Sequence, residues 1–131
     1  MSGKDKRTIL IIDDDPGVRA FLEALMQDHG HATVTAADGA EGLEKVRAAR
    51  PDLILLDITM PKKTGVRFYR DVREDEALAT IPVVMVTGVM KEFKRFIHSR
   101  RQVPPPDGYI TKPIDQQELL ETVTRLLATV H

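Results

Sequence analysis

Four consecutive apolar residues, Leu53 to Leu56, end abruptly at a carboxylate, Asp57. An apolar run of this length without alternation is typical of a parallel strand that helices cover on both faces. In an open α/β sheet, ligands bind outside the carboxyl ends of the strands. The sequence therefore predicts a buried strand that presents Asp57 at the edge of the sheet where chemistry takes place.

Four further segments have the composition of strands, and three of them also end at polar side chains. Thr8–Ile12 precedes the aspartates Asp13 and Asp14, Pro82–Thr87 ends at a threonine, and Gly108–Lys112 ends at a lysine. The fourth segment, His31–Ala36, alternates like a strand near a sheet edge.

Helical patterns lie between the strands, and several of them follow an aspartate, which is a favoured N-cap. The predicted helices begin near Asp15, Asp38, Gly65, Lys91 and Asp115. Five strands that alternate with five helices indicate a doubly wound parallel α/β sheet. A length of 131 residues fits one domain, so we expect residues 1–131 to fold together, with 1–6 flexible.

Composition excludes several classes of function. The chain has no cysteine, so it forms neither disulfides nor thiolate metal sites. Its net charge of -1 gives no overall field that would recruit nucleic acid or a membrane surface. The first apolar stretch after the amino terminus, Ile9 to Ile12, is too short for a signal peptide or a membrane span. We therefore expect a cytoplasmic protein without direct nucleic-acid binding or membrane insertion.

The polar groups at the strand ends can form one site, because a parallel sheet aligns the carboxyl ends of its strands. The carboxylates would repel one another, so they require a cation or raised pKa values. Oxygen ligands without cysteine suit Mg²⁺. A nucleophilic aspartate beside a metal, an amine and a hydroxyl can accept a phosphoryl group. The residues concerned are Asp13, Asp14, Asp57, Thr87 and Lys112.

Over essentially its whole length, the chain resembles the response-regulator receiver domains of two-component signalling, in particular the stand-alone, chemotaxis-regulator-like ones. The resemblance implies a flavodoxin-like fold with strand order 2-1-3-4-5, the order found in a chemotaxis receiver of the same family. The motifs that carry the resemblance are Asp13-Asp14, Asp57-x-x-Met60-Pro61-x-x-x-Gly65, Thr87-Gly88 and Tyr109-x-x-Lys112-Pro113.

The resemblance also implies a phosphoacceptor and a metal site. Asp57 would accept a phosphoryl group from a phosphohistidine on a sensor histidine kinase or a phosphotransfer protein. Mg²⁺ would be bound by Asp14, by Asp57 and by the backbone carbonyl of Thr59, with Asp13 reaching it through water.

Three further residues would have roles in transfer and switching. By the same resemblance, Thr87 and Lys112 would contact the phosphoryl oxygens. Thr87 would also move on phosphorylation and Tyr109 would turn inward as the switch aromatic, remodelling the face formed by the fourth helix, fifth strand and fifth helix. In many relatives the Lys-Pro bond that corresponds to Lys112-Pro113 is cis.

The chain departs from the family pattern in two places. The predicted helix 91–101 is strongly basic and is followed by Pro104-Pro105-Pro106. It is either a docking surface for an acidic downstream partner or a solvated face plus a loop insertion. Thr59 replaces a common asparagine, and we expect Thr59 and Val89 to influence the rate of dephosphorylation.

The four histidines show no ligand spacing and are interpreted as surface residues.

We interpret the chain as a stand-alone phosphorylation switch without an output domain, and not as a turnover enzyme. One alternative is a Mg²⁺-dependent aspartyl phosphatase or phosphotransferase. Such enzymes of the haloacid-dehalogenase-like family carry a second aspartate two residues after the nucleophile, where this chain has Thr59. The other alternative is a phosphorylation-independent interaction module, which would not need the complete set of reactive groups.

Overall fold

The computed structural model describes residues 7–58, 64–88 and 105–128, and these residues form five strands and four helices. No helix in these ranges is long and apolar enough to cross a membrane. In chain order the elements are β1 (Thr8–Ile12), α1 (Pro16–Asp28), β2 (Ala32–Ala36), α2 (Gly39–Ala49), β3 (Leu53–Leu56), α3 (Thr64–Glu74), β4 (Val83–Thr87), β5 (Gly108–Thr111) and α4 (Gln116–Ala128).

All five strands form one parallel sheet in the order β2-β1-β3-β4-β5. This order confirms the predicted flavodoxin-like topology. The register aligns the carboxyl ends of β1, β2 and β3, since Ile12 lies opposite both Ala36 and Leu56. The predicted helix 91–101 lies outside the described residues.

The predicted aspartate caps are confirmed at the starts of α1, α2 and α4. The Asp15 carboxylate accepts hydrogen bonds from the amides of Gly17 and Val18, so this third consecutive aspartate is occupied by helix capping. At α2, Asp38 accepts from the Glu41 amide at 2.8 Å. Asp115 accepts in the same way from the amide three residues ahead, at 3.0 Å.

Helices cover both faces of the sheet, and each face has its own apolar cluster. Helices α2 and α3 pack over one face, whereas α1 and α4 pack over the other. Strands β3 and β4 are buried along their whole length, as their continuous apolar sequences predict. Phe21 differs from the rest of the apolar stripe of α1, because 38% of its surface is exposed.

Gly65 lets the first turn of α3 pack directly on the chain segment that follows β3. A Cβ atom at this position would overlap the backbone carbonyl of Asp57 and would crowd the Cα of Ile58. Only glycine avoids these contacts without moving the backbone. The helix begins at Thr64, one residue earlier than the sequence indicated. The backbone at Asp57 is therefore supported by the helix packed against it.

Near the end of α3, an arginine with a buried side chain links chain segments at the amino-terminal edge of the sheet. Only 5% of the Arg73 side chain is exposed. Its guanidinium donates to the carbonyls of Ala79 (3.0 Å) and Ile81 (2.8 Å) and to the Tyr69 hydroxyl (3.2 Å). The guanidinium carbon also lies 5.0 Å from the centre of the Tyr69 ring. Arg73 thus holds the loop between α3 and β4.

The partner of this arginine is Asp107, in the segment before β5 where the sequence carries its proline insertion. One carboxylate oxygen of Asp107 accepts from Arg73 at 2.7 Å and from the Val83 amide at 2.8 Å. Pro106, beside it, is buried. The described part of the insertion is therefore anchored to the amino-terminal edge of the sheet.

His31 is not the simple surface residue that the sequence indicated. Its side chain is half-buried, and its Nδ1 atom is buried without a hydrogen-bond partner among the described residues. Burial lowers the pKa of His31, electrostatic interactions with His29 and Arg7 lower it further, and Asp52 opposes them. The neutral imidazole is therefore favoured in the folded state.

This burial predicts that the domain loses stability in mild acid. Because the folded-state pKa of His31 lies below its unfolded value of about 6.5, the unfolded chain binds the proton more readily. The stabilising contribution is present above that value and is lost as pH falls through the folded-state pKa. In urea unfolding at about pH 7.5 and about pH 5.5, His31→Gln should show a smaller pH-dependent loss of stability than wild type. Equal losses in wild type and His31→Gln would contradict the prediction.

Candidate functional site

Four of the predicted site residues come together at the carboxyl edge of the sheet. Asp13 and Asp57 directly follow β1 and β3, Thr87 ends β4, and Lys112 directly follows β5. The backbone hydrogen bonds between neighbouring strands extend to these residues and fix the positions of their backbones. The bonds run from Asp13 N to Ala36 O (3.1 Å), from Asp57 N to Ile12 O (3.0 Å) and from Lys112 N to Thr87 O (3.0 Å).

Three carboxylates form a compact acidic cluster at this edge. One oxygen from each of Asp13, Asp14 and Asp57 lies within 4.8 Å of the others. Asp13 and Asp57 are almost fully buried, at 1% and 2% exposure, whereas Asp14 is exposed. The cluster therefore has two acids in its floor and one at its open rim.

Lys112 bridges the two buried acids. Its Nζ lies 3.3 Å from Asp13 Oδ2 and 3.5 Å from Asp57 Oδ2. Burial alone would lower the pKa of Lys112, but the charges of Asp57 and Asp13 outweigh it and hold the pKa above its ordinary value. The amine is therefore cationic at neutral pH and stands beside an oxygen of Asp57.

Asp13 is fixed by several contacts, and its charge is incompletely compensated. Its Oδ1 accepts from the Asp15 amide at 2.9 Å, and its backbone carbonyl accepts from Arg19 at 2.7 Å. Burial raises the pKa of Asp13 and the negative charge of Asp57 adds to this, although the Asp15 amide and Lys112 oppose both. A further positive charge in the cluster would stabilise its ionised form.

Comparison with known proteins gives the family. Residues 9–124 match the family described as the response regulator receiver domain. The chain belongs to this family. Its domain is a phosphoacceptor module of two-component signalling, and receiver domains act as signalling switches. They take phosphoryl groups from histidine kinases or phosphotransfer proteins.

Individual relatives resemble this receiver domain over nearly their full length. Protein PilH of Pseudomonas aeruginosa is 36% identical over 120 residues, which cover 92% of this chain and 97% of PilH. Protein Rrf1 of Nitratidesulfovibrio vulgaris is 35% identical over 121 residues, covering 92% of this chain and 83% of Rrf1. The crystal structure of the Vibrio cholerae chemotaxis protein CheY4 superposes with a TM-score of 0.81 at 32% identity, covering 92% of this chain and 98% of CheY4.

The acidic cluster of this receiver domain fits Mg²⁺. Receiver domains generally bind this ion through acidic residues, and the cluster offers three hard oxygen ligands with one acid open to solvent. The two buried acids lie on the same lysine, Lys112, and a divalent cation in the cluster would relieve their mutual repulsion.

The two predicted switch residues differ in their surroundings. Thr87 is buried, with 1% exposure, at the end of β4. Tyr109 lies on β5 opposite Met85 and is 41% exposed, so it is not a core aromatic. The Lys112-Pro113 peptide bond is cis. Thr59, Val89 and the predicted basic helix 91–101 lie outside the described residues.

The sequence did not reveal two arginines that the structure places at important positions. Arg19 bonds the backbone beside the acidic cluster, and Arg73 is buried at the other edge of the sheet. Both bind backbone carbonyls, and neither belongs to a motif. Their partners become apparent only when the helices are packed on the sheet.

Proposed function

We propose that Asp57 is the phosphoacceptor and that its phosphorylation by a phosphohistidine donor switches the output face of the domain. The observation that carries this proposal is the buried carboxylate of Asp57 at a strand end, 3.5 Å from the cationic amine of Lys112. This pairing brings a nucleophile and a charge-stabilising group together at the carboxyl edge of the sheet.

In the proposed transfer, an oxygen of the Asp57 carboxylate attacks phosphorus. The phosphorus–nitrogen bond to the donor histidine breaks as the phosphorus–oxygen bond to Asp57 forms. The donor imidazole keeps the electron pair and takes a proton from solvent. Lys112 offsets negative charge on the phosphoryl oxygens, and the Thr87 hydroxyl donates a hydrogen bond to one of them.

The metal ligands that we propose are Asp14, Asp57 and the backbone carbonyl of Thr59, with Asp13 acting through water. The close approach of the three carboxylates and the exposure of Asp14 support this set. Bound Mg²⁺ would supply positive charge that neutralises the phosphoryl oxygens. Asp13 would hold Lys112 in place through the 3.3 Å contact with its amine.

Switching would follow from movement of Thr87 toward the phosphoryl group. Tyr109, now exposed on β5, would turn inward into the space that this movement opens. The surface that changes includes β5 and α4, which is the fifth of the helices predicted from the sequence. We propose that the basic segment 91–101, the fourth predicted helix, extends this surface toward an acidic downstream partner. Reversing the charges of Arg95 and Arg101 should then weaken partner binding, and unchanged binding would contradict this assignment.

We propose a switch in place of a turnover enzyme or a purely structural module. Thr59 supplies no acid/base carboxylate at the position where aspartyl phosphatases of the haloacid-dehalogenase-like family carry one. A module that had lost phosphorylation would not need three carboxylates and a lysine held together at one sheet edge. Release of many phosphates per protein from small phosphate esters would favour the enzyme.

The metal assignment is tested by calorimetric titration with Mg²⁺. Wild type should bind one ion, and Asp14→Asn should weaken binding by about tenfold or more because a ligand charge is lost. Asp38→Asn is the matched control, since asparagine preserves its helix cap and the residue lies outside the cluster. Equal affinity in wild type and Asp14→Asn, or no binding by wild type, would contradict the assignment.

A further inference from the structure

Arg19 reaches from α1 to the peptide group that joins the two acids after β1. Its Nη1 atom donates to the backbone carbonyl oxygen of Asp13 at 2.7 Å, in a partly buried position. This carbonyl belongs to the peptide bond between Asp13 and Asp14. The arginine therefore holds the orientation of that peptide plane without touching either carboxylate through a hydrogen bond.

The two neighbouring acids differ in what else fixes them. Asp13 is also held through its amide, by the Ala36 carbonyl, and through its carboxylate, by the Asp15 amide and Lys112. Asp14 is exposed, and within residues 7–58, 64–88 and 105–128 no hydrogen bond to its carboxylate is found. Only the backbone therefore fixes the direction in which its Cα–Cβ bond leaves the chain, and the peptide that Arg19 binds is part of that backbone.

We propose that Arg19 is a positioning residue for the metal site and that it raises Mg²⁺ affinity by orienting Asp14. This inference rests on the proposed function, because it takes Asp14 as a metal ligand. Residues that orient ligands without binding the metal commonly change its affinity by about 10–100-fold. Arg19 acts here through a backbone carbonyl, so we expect an effect at the lower end of that range.

The positive charge of Arg19 and its hydrogen bond have opposite effects on Mg²⁺ affinity. Whether the affinity rises or falls when Arg19 is replaced therefore shows which effect is larger. A guanidinium near the acidic cluster repels Mg²⁺, so removing the charge alone would tighten binding. Removing the hydrogen bond lets the Asp13–Asp14 peptide rotate and would weaken binding. If Arg19 contributed only to folding, stability would fall and the Mg²⁺ affinity of the folded protein would stay the same.

The test compares Arg19→Met, Arg19→Lys and wild type by calorimetric titration with Mg²⁺. Methionine keeps the apolar stem and removes the donors, and it should weaken binding about tenfold. Lysine can still donate to the carbonyl and should restore affinity to within about threefold of wild type. The control is Arg47→Met, which removes the same charge from an exposed position in the last turn of α2 and should leave the affinity unchanged.

A second readout separates positioning from the chemical step. With a small-molecule phosphodonor, Arg19→Met should label slowly at low Mg²⁺ and reach the wild-type rate at saturating Mg²⁺. Unchanged or tighter Mg²⁺ binding by Arg19→Met would overturn the inference while leaving the proposed function intact. If Arg19→Met did not fold, an Arg19→Lys affinity far below wild type would likewise overturn the predicted rescue. Failure of wild type to bind Mg²⁺ would overturn both.

Discussion

Replacing Lys112 with methionine should slow phosphoryl uptake by Asp57 about a hundredfold, because a preorganised cation near the developing charge is lost. The amine lies 3.5 Å from Asp57 Oδ2 and is held there by Asp13 as well. Methionine keeps the apolar stem of the side chain and removes only the charged end. The rate is measured by intact mass at fixed times after a small-molecule phosphodonor is added with Mg²⁺.

The control for this variant is Lys45→Met. Lys45 forms an ion pair with Glu41 in which both side chains are 41% exposed, so its loss should not change the rate. Mg²⁺ affinity should not fall in Lys112→Met, because the metal ligands remain and a competing positive charge has gone. A wild-type rate of labelling in Lys112→Met would contradict the role that we assign to this lysine.

Arg73→Met should cause a large loss of stability and lower the free energy of unfolding by about 2–4 kcal/mol, because backbone carbonyls lose their hydrogen-bond donor. The guanidinium makes an ion pair and three further hydrogen bonds while only 5% of its side chain is exposed. Its removal leaves the partly buried carbonyls of Ala79 and Ile81 without these donors. Asp107→Asn should cost less, because 39% of the Asp107 side chain is exposed.

Urea unfolding at neutral pH measures the free energy of unfolding of both variants, and Arg67→Met provides the matched control. Arg67 lies on the same helix and is exposed, so its replacement should change the free energy of unfolding by less than about 0.5 kcal/mol. A loss below about 1 kcal/mol in Arg73→Met would show that the buried network contributes little to stability.

The architecture could be predicted from the sequence because local patterns determine most of it. Leu53–Leu56 is bounded by polar residues, and the structure forms β3 over these same residues. Aspartates followed by helical spacing marked three helix starts. Alternating strands and helices then allow few topologies, and a parallel sheet brings its strand ends to one edge. The convergence of Asp13, Asp57 and Lys112 followed from that geometry.

Interactions between distant segments could not be predicted in this way. Arg73 and Asp107 are 34 residues apart, and their contact depends on how α3 lies beside the start of β5. Arg19 binds a backbone carbonyl, which is present at every residue and so leaves no pattern in the sequence. The burial of His31 and the exposure of Phe21 depend on which side chains meet at the ends and margins of the packed elements.

Acceptance of a phosphoryl group by Asp57 in a Mg²⁺-dependent reaction is tested directly by intact mass after incubation with a small-molecule phosphodonor. Wild type and Asp57→Asn are compared, each with and without Mg²⁺. We predict one added phosphoryl group in wild type with Mg²⁺ and none in the other three samples. Equal labelling of Asp57→Asn, or no labelling of a wild-type protein that folds and binds Mg²⁺, would contradict the claim.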